Sequence, residues 1–95
     1  EHDPAGAAAE GPAAIEQALA AGETGLAVGV LWLAGRATGD VAGVPAGVAL
    51  LQRYRERAAE FGDEREDLAE MGAELLRQWD LDADAQQWLA AVSPN

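Results

Sequence analysis

Residues 46–61, AGVALLQRYRERAAEF, decide the reading of the fold. Gly47, Leu51, Tyr54, Ala58 and Phe61 recur at intervals of four, three, four and three, with Leu50 beside them. Gln52, Arg53, Glu56, Arg57 and Glu60 fall on the other side. That is the period of a helix with one buried stripe and one wet face. Gly62-Asp63 follows as a stop and a fresh N-cap, and Glu66 stands three residues past Asp63, at capping-box spacing. A further helix is predicted to about Trp79, burying Leu68, Gly72, Leu75 and Trp79, with Met71 and Leu76 at its flanks. So short a junction predicts that these two helices fold back as an antiparallel pair.

On the C-terminal side, Asp80–Asp84 (DLDAD) reads as a break. Ala85, Trp88, Leu89 and Val92 then stand at helical i, i+3, i+4, i+7 positions, and Ser93-Pro94 ends the run. On the N-terminal side, Thr38–Pro45 (TGDVAGVP) has turn chemistry and predicts another break. Before it, a helix from Thr24 to about Ala37 is apolar on nearly every side through Leu26, Val28, Val30, Leu31, Trp32 and Leu33. Such a helix belongs in the middle of a bundle. Gly29 inside it predicts a close helix crossing, because glycine is costly in a helix interior. Pro12 suits the first position of a short helix to Ala21, with Ile15, Ala18 and Leu19 buried and Gly22 as its stop. Residues 1–11, EHDPAGAAAEG, carry no large apolar side chain and read as a flexible tail or linker. Residues 12–95 form a single helical domain. The fold class is all-α: a compact bundle of about five short helices, arranged as αα-hairpins.

Composition narrows the chemistry. The 95 residues include 17 acidic and six basic side chains for a formal charge of −11, and every basic residue is Arg. Such a field repels phosphate backbones and anionic membranes, so neither a nucleic-acid nor a membrane partner is expected. It reads first as solubility and second as steering toward basic partners. With no Cys there are no disulfides, thiolate metal sites or Cys nucleophiles. A cysteine-free chain suits the cytoplasm without excluding secretion. No signal segment opens the sequence and residue 1 is Glu, so the chain is expected to be processed, excised from something longer, or without its true start. The strongly apolar run Gly25–Gly35 is too short to span a bilayer. The small residues spaced by four, Gly25/Gly29 and Gly39/Gly43/Gly47, favour close helix contact, but Arg36, Asp40 and Pro45 interrupt any membrane hairpin. Any part of that apolar stretch left exposed would be a dimer or partner interface.

The motifs that resemble chemistry fall short of it. Asp80-x-Asp82-x-Asp84 opens like a calcium loop, but Ala85 stands where the turn needs Gly and Ala91 where it needs a bidentate Glu. Three acids at a helix start also serve its cap and dipole. Glu66, Glu70 and Glu74 line one face, but His2 is the one histidine and lies in the expected tail, so no carboxylate–histidine metal set is expected. With no Cys or Lys, the usual triads and Schiff-base chemistry cannot be assembled. Gly35, Gly39, Gly43 and Gly47 lack the Lys-Ser/Thr ending of a phosphate loop. Arg53, Arg55 and Arg57 are a local excess of positive charge, and Arg53 and Arg57 share a face. They would grip a partner's carboxylate or phosphate, or pair with Glu56, Glu60 and acids of neighbouring helices.

Ala58-Ala59-Glu60-Phe61-Gly62-Asp63 is similar to the Ala-x-x-Gly-Asp junction of Sel1-like and tetratricopeptide repeats. Leu68–Leu76 (LAEMGAELL) and Ala85–Leu89 (AQQWL) resemble the helices that follow it, and Gly29–Leu33 (GVLWL) with Gly39-Asp40 resembles an earlier first helix. The resemblance covers about half the chain. The Gly62–Gly72 spacing and the Thr38–Pro45 loop depart from the repeat pattern. It implies a protein-binding scaffold.

The expectation is therefore a non-enzymatic helical module, part of a larger chain or assembly, that binds another protein and leaves self-association open. Trp32, Arg53 and Arg57 are the candidate contact residues; no catalytic residue, metal or cofactor is expected. The alternative is a small acidic inhibitor of the immunity or antitoxin type that covers a basic site. A carboxylate-based enzyme ranks third.

Overall fold

The computed structural model describes residues 4–93, in which every regular element is helical. The chain runs through α1 (Pro4–Ala20), α2 (Thr24–Ala42), α3 (Val44–Arg55), a 3-10 segment (Ala58–Glu64), α4 (Arg65–Gln78) and α5 (Asp82–Val92). The bundle measures 35 × 33 × 19 Å. α2 lies at its centre, packed against α1, α3, the 3-10 segment and α4, while α5 packs chiefly on α4.

Several expectations are corrected by this arrangement. α1 begins at Pro4, so the stretch 4–11 expected as tail or linker is helical and Pro12 sits inside the helix. Residues 1–3 of that stretch, with His2, lie outside the described residues. The reason is close approach: Gly11 is buried, and a Cβ there would collide with the Ala34 Cβ of α2. A helix that docks through small side chains leaves no large apolar residue in its sequence to announce it. α2 likewise continues to Ala42, through most of the expected Thr38–Pro45 break, and the chain turns only at Gly43 (φ 100°). The N-cap of α2 is Glu23 rather than Thr24, without a side-chain cap bond.

α3 stops at Arg55, not Phe61. The residues after it keep their apolar side inward, so Ala58 and Phe61 are buried as the period predicts, but they do so on a tighter 3-10 path. Gly62 kinks that path at φ 54°, ψ −126°, a conformation open in practice only to glycine. The predicted Asp63–Glu66 capping box does not form: the N-cap of α4 is Glu64, with no side-chain cap bond. The intervening segment also turns the chain away, so α3 and α4 are not laid along one another as a hairpin. The close pairs are α1 with α2, α2 with α3, and α4 with α5.

Helix ends are otherwise closed by backbone. Gly22, at φ 76°, completes a Schellman motif in which the Glu23 N–H donates to the Ala18 carbonyl at 2.8 Å. Asp80 does the same after α4 at φ 62°, with the Leu81 N–H donating to the Leu76 carbonyl at 2.9 Å. Arg65 donates its Nε–H to the Val92 carbonyl at 2.7 Å, placing a cation on the C-terminal end of α5.

The core is built from tryptophans seated on glycines as much as from aliphatic contact. Ile15, Leu31, Leu51, Tyr54, Phe61, Leu68, Leu75 and Trp88 are all essentially without exposure, and no charged or polar residue among the described ones is buried. The Trp88 ring lies on Gly72, with its Nε1–H donating to the carbonyls of Leu68 and Ala69 at 3.2 and 3.0 Å. Trp79 is wedged between Gly39 of α2 and Gly47 of α3: a Cβ on Gly39 would stand 2.8 Å from its Cζ2. Gly29 differs from these. It stays in helix, but a Cβ there would meet no atom within 4 Å, so the crossing predicted at Gly29 has no partner among the described residues.

Candidate functional site

Arg57 lies at the turn between α3 and the 3-10 segment, where α1 passes. Its guanidinium donates to both oxygens of Glu16 on α1, at 2.6 and 2.9 Å, and to both oxygens of Glu60, at 2.8 and 2.9 Å. Tyr54, fully buried, donates its hydroxyl to Glu16 Oε2 at 2.8 Å and stands edge-on to Phe61 with ring centroids 6.3 Å apart. The cations of Arg57 and Arg53 lie 5.3 and 5.8 Å from the centre of the Tyr54 ring.

The titration of these groups follows from the contacts. The Arg57 and then the Tyr54 hydrogen bonds hold the Glu16 carboxyl down to about 2. Burial, and then the hydrogen bond to Glu16, push the Tyr54 phenol up to about 12. Glu60 is lowered by its hydrogen bonds from Arg57, and Arg57 is raised by Glu60 and Glu16. Near neutrality Glu16 is ionised and Tyr54 protonated, so the cluster exchanges no proton there. It is an electrostatic tie between α1 and the middle of the chain.

That tie has a pH signature. The Glu16 carboxyl titrates at about 2 in the folded chain, below its ordinary 4.5, so its contribution is present above 4.5 and lost as pH falls toward 2. Glu16→Gln is expected to cost about 1 kcal/mol at pH 7, since both partners are partly solvated and the pair is screened. It is also expected to flatten the acid limb. Urea unfolding at a series of pH values reads both; an unchanged acid limb would contradict the assignment.

Of the three sequence candidates, Arg53 and Arg57 both stand against the Tyr54 ring, while Trp32 lies on α2. Arg57 is committed to Glu16 and Glu60. Arg53 is exposed, at the rim of a shallow apolar depression of about 240 Å³ bordered by Ala8, Pro12, Thr38, Ala46 and Leu50. Trp32 is half-buried on α2, with the Arg36 guanidinium 5.7 Å from its ring centre. Beside it the exposed face of α2 carries Leu26 and Leu33, each more than half exposed (55 % and 54 %), with Gly29 between them. Val41 is similarly exposed near the end of the helix.

A further group of acidic side chains stands at the start of α4. The hydrogen bond with Asp67, then burial, then the charges of Asp67 and Asp63 push the Glu64 carboxyl up. Among the described residues no three of His, Cys, Asp and Glu are grouped as a metal ion would need, and no helix is long and apolar enough to cross a membrane. Asp82 and Asp84 lie in the first turn of α5, where they complement its dipole.

Two features escape the sequence. The Glu16–Arg57 pair spans 41 residues, and nothing local in either segment signals it. The exposure of Leu26 and Leu33 is hidden because the whole helix is apolar; only its six buried positions, which follow one side, separate them from the core. Comparison with protein-family models, with curated proteins and with solved structures finds no match to this chain.

Proposed function

We propose that the protein is a non-enzymatic helical module that binds another protein through the exposed face of α2. The observation that carries this reading is the pair Leu26 and Leu33, both more than half exposed on the central helix and flanked by half-buried Trp32. Burying two leucines is worth about 3 kcal/mol or more to an interface, and leaving them in water earns the monomer nothing. Arg36 over Trp32 adds a polar rim. The scaffold role implied by the Sel1-like resemblance agrees with this reading, as does a cytoplasmic, nucleic-acid-free setting for so acidic a chain.

The test is retention of a partner. The chain and its Leu26→Gln/Leu33→Gln variant would be immobilised and exposed to extract of the source organism. The native surface is expected to retain a protein at fixed stoichiometry and the variant to retain at least tenfold less, since two lost apolar contacts exceed 1.4 kcal/mol. Equal retention by both would overturn the reading.

A second reading rests on the crowded carboxylates of Asp63, Glu64 and Asp67. Crowded together, they would be relieved by a basic surface, as in a small acidic inhibitor. Association through them would slow steeply with added salt, whereas association through α2 would not.

A further inference from the structure

We propose that the exposed face of α2 is a self-association surface, on which two copies pack antiparallel about the Gly29–Val30 peptide. The proposal rests on the reading of that face as a docking surface and names its occupant. Leu26, Gly29, Leu33 and Arg36 follow one another at intervals of three, four and three, the spacing that keeps residues on a helix seam.

Gly11, Gly35, Gly39, Gly47 and Gly72 each face a neighbour that leaves no room for a Cβ. Gly29 faces open space, so its helix-weakening presence has no packing partner among the described residues. A backbone approaching from outside supplies one, and the flanking leucines would then close over the crossing.

The charges of this face are symmetric as well. Leu26 and Leu33 stand equally far on either side of the 29/30 peptide, and so do Glu23 and Arg36. In an antiparallel two-fold pairing about that point, Leu26 of each copy meets Leu33 of the other, and Glu23 lies at the end occupied by Arg36. Both charged residues are exposed. An isologous interface needs this kind of self-complementary pattern. Across Thr24–Ala42 the charges are Arg36 and Asp40, so α2 is neutral in a chain of net charge −11. It is the surface on which two copies meet with little repulsion.

Light scattering or sedimentation of the purified chain over a concentration series tests this without any extract. The mass is expected to rise from 9.8 kDa toward twice that value. Arg36→Glu should weaken the dimer roughly tenfold, and the charge-swapped Glu23→Arg/Arg36→Glu chain should recover most of it. Gly29→Ala should act with opposite signs, raising the melting temperature of the dilute monomer by about 4 °C or more while weakening the dimer. A purely structural glycine would not split the two readouts. A constant monomer up to about millimolar concentration, or a dimer indifferent to Arg36→Glu and Gly29→Ala, overturns the proposal. If the chain stays monomeric but loses an extract partner with Leu26→Gln/Leu33→Gln, the docking face stands and only the second copy as its occupant is refuted.

Discussion

Gly72→Ala is expected to destabilise the fold by about 3 kcal/mol or more, lowering the melting temperature by roughly 10 °C or more. The added methyl would occupy space filled by the Trp88 indole, whose Cε2, Nε1 and Cζ2 atoms are the nearest to it. Flexible side chains usually yield to such an intrusion. This one has nowhere to go, because Trp88 is 1 % exposed and its Nε1–H is held by the Leu68 and Ala69 carbonyls. Swinging the ring aside would leave a buried donor without a partner, itself a cost of about 1–3 kcal/mol. Separating α4 from α5 would open the joint that the ring fills. Thermal unfolding followed by circular dichroism measures the effect, and a melting temperature within about 2 °C of the native chain would refute the seating. Trp88→Leu in the Gly72→Ala background should lose less than the two single changes summed, as expected of residues in contact.

Tyr54→Ala is expected to cost about 3–5 kcal/mol, whereas Tyr54→Phe should cost only about 1. The difference separates two contributions of one residue. The ring is fully buried against Phe61 and offers its face to Arg53 and Arg57; the hydroxyl does nothing in the core beyond donating to Glu16. Removing the hydroxyl leaves Arg57 still bound to Glu16, so the tie to α1 survives. Removing the ring empties the space beneath that tie. The phenol supplies an independent check. It titrates at about 12 when folded against an ordinary 10, so its contribution is present below 10 and lost as pH rises through 12. Ultraviolet titration should give a midpoint that moves down in Glu16→Gln, the variant that takes away the neighbouring negative charge. A midpoint at the ordinary value in the native chain would contradict the burial of the hydroxyl.

Side chains that enter the core through bulk were legible in the sequence, and those that enter through smallness were not. Leu51, Tyr54, Ala58 and Phe61 are buried as their period requires, although the helix carrying them changes gauge at Arg55. Leu68, Leu75 and Trp88 fall where the amphipathic pattern puts them. Gly11 and Gly39 misled in the other direction. Each reads as linker or turn, yet each marks where helices or a tryptophan come closest, and so α1 starts earlier and α2 ends later than the pattern suggests, whereas Gly47 lies on the buried stripe where its period puts it. The candidate arginines show the same division. That Arg57 would meet Glu60 follows from a local interval, but its bond to Glu16 depends on how α1 lies against the chain's middle. No periodicity records that.

The order of packing in the bundle has a kinetic consequence. The closest partners, α1 with α2, α2 with α3, and α4 with α5, are consecutive in the chain, so each pair forms by closing a loop of only a few residues. Chains of such local topology cross their barrier in about microseconds to milliseconds. The pairs fall into a three-helix group on the N-terminal side and a two-helix group on the C-terminal side, joined where Trp79 sits between Gly39 and Gly47.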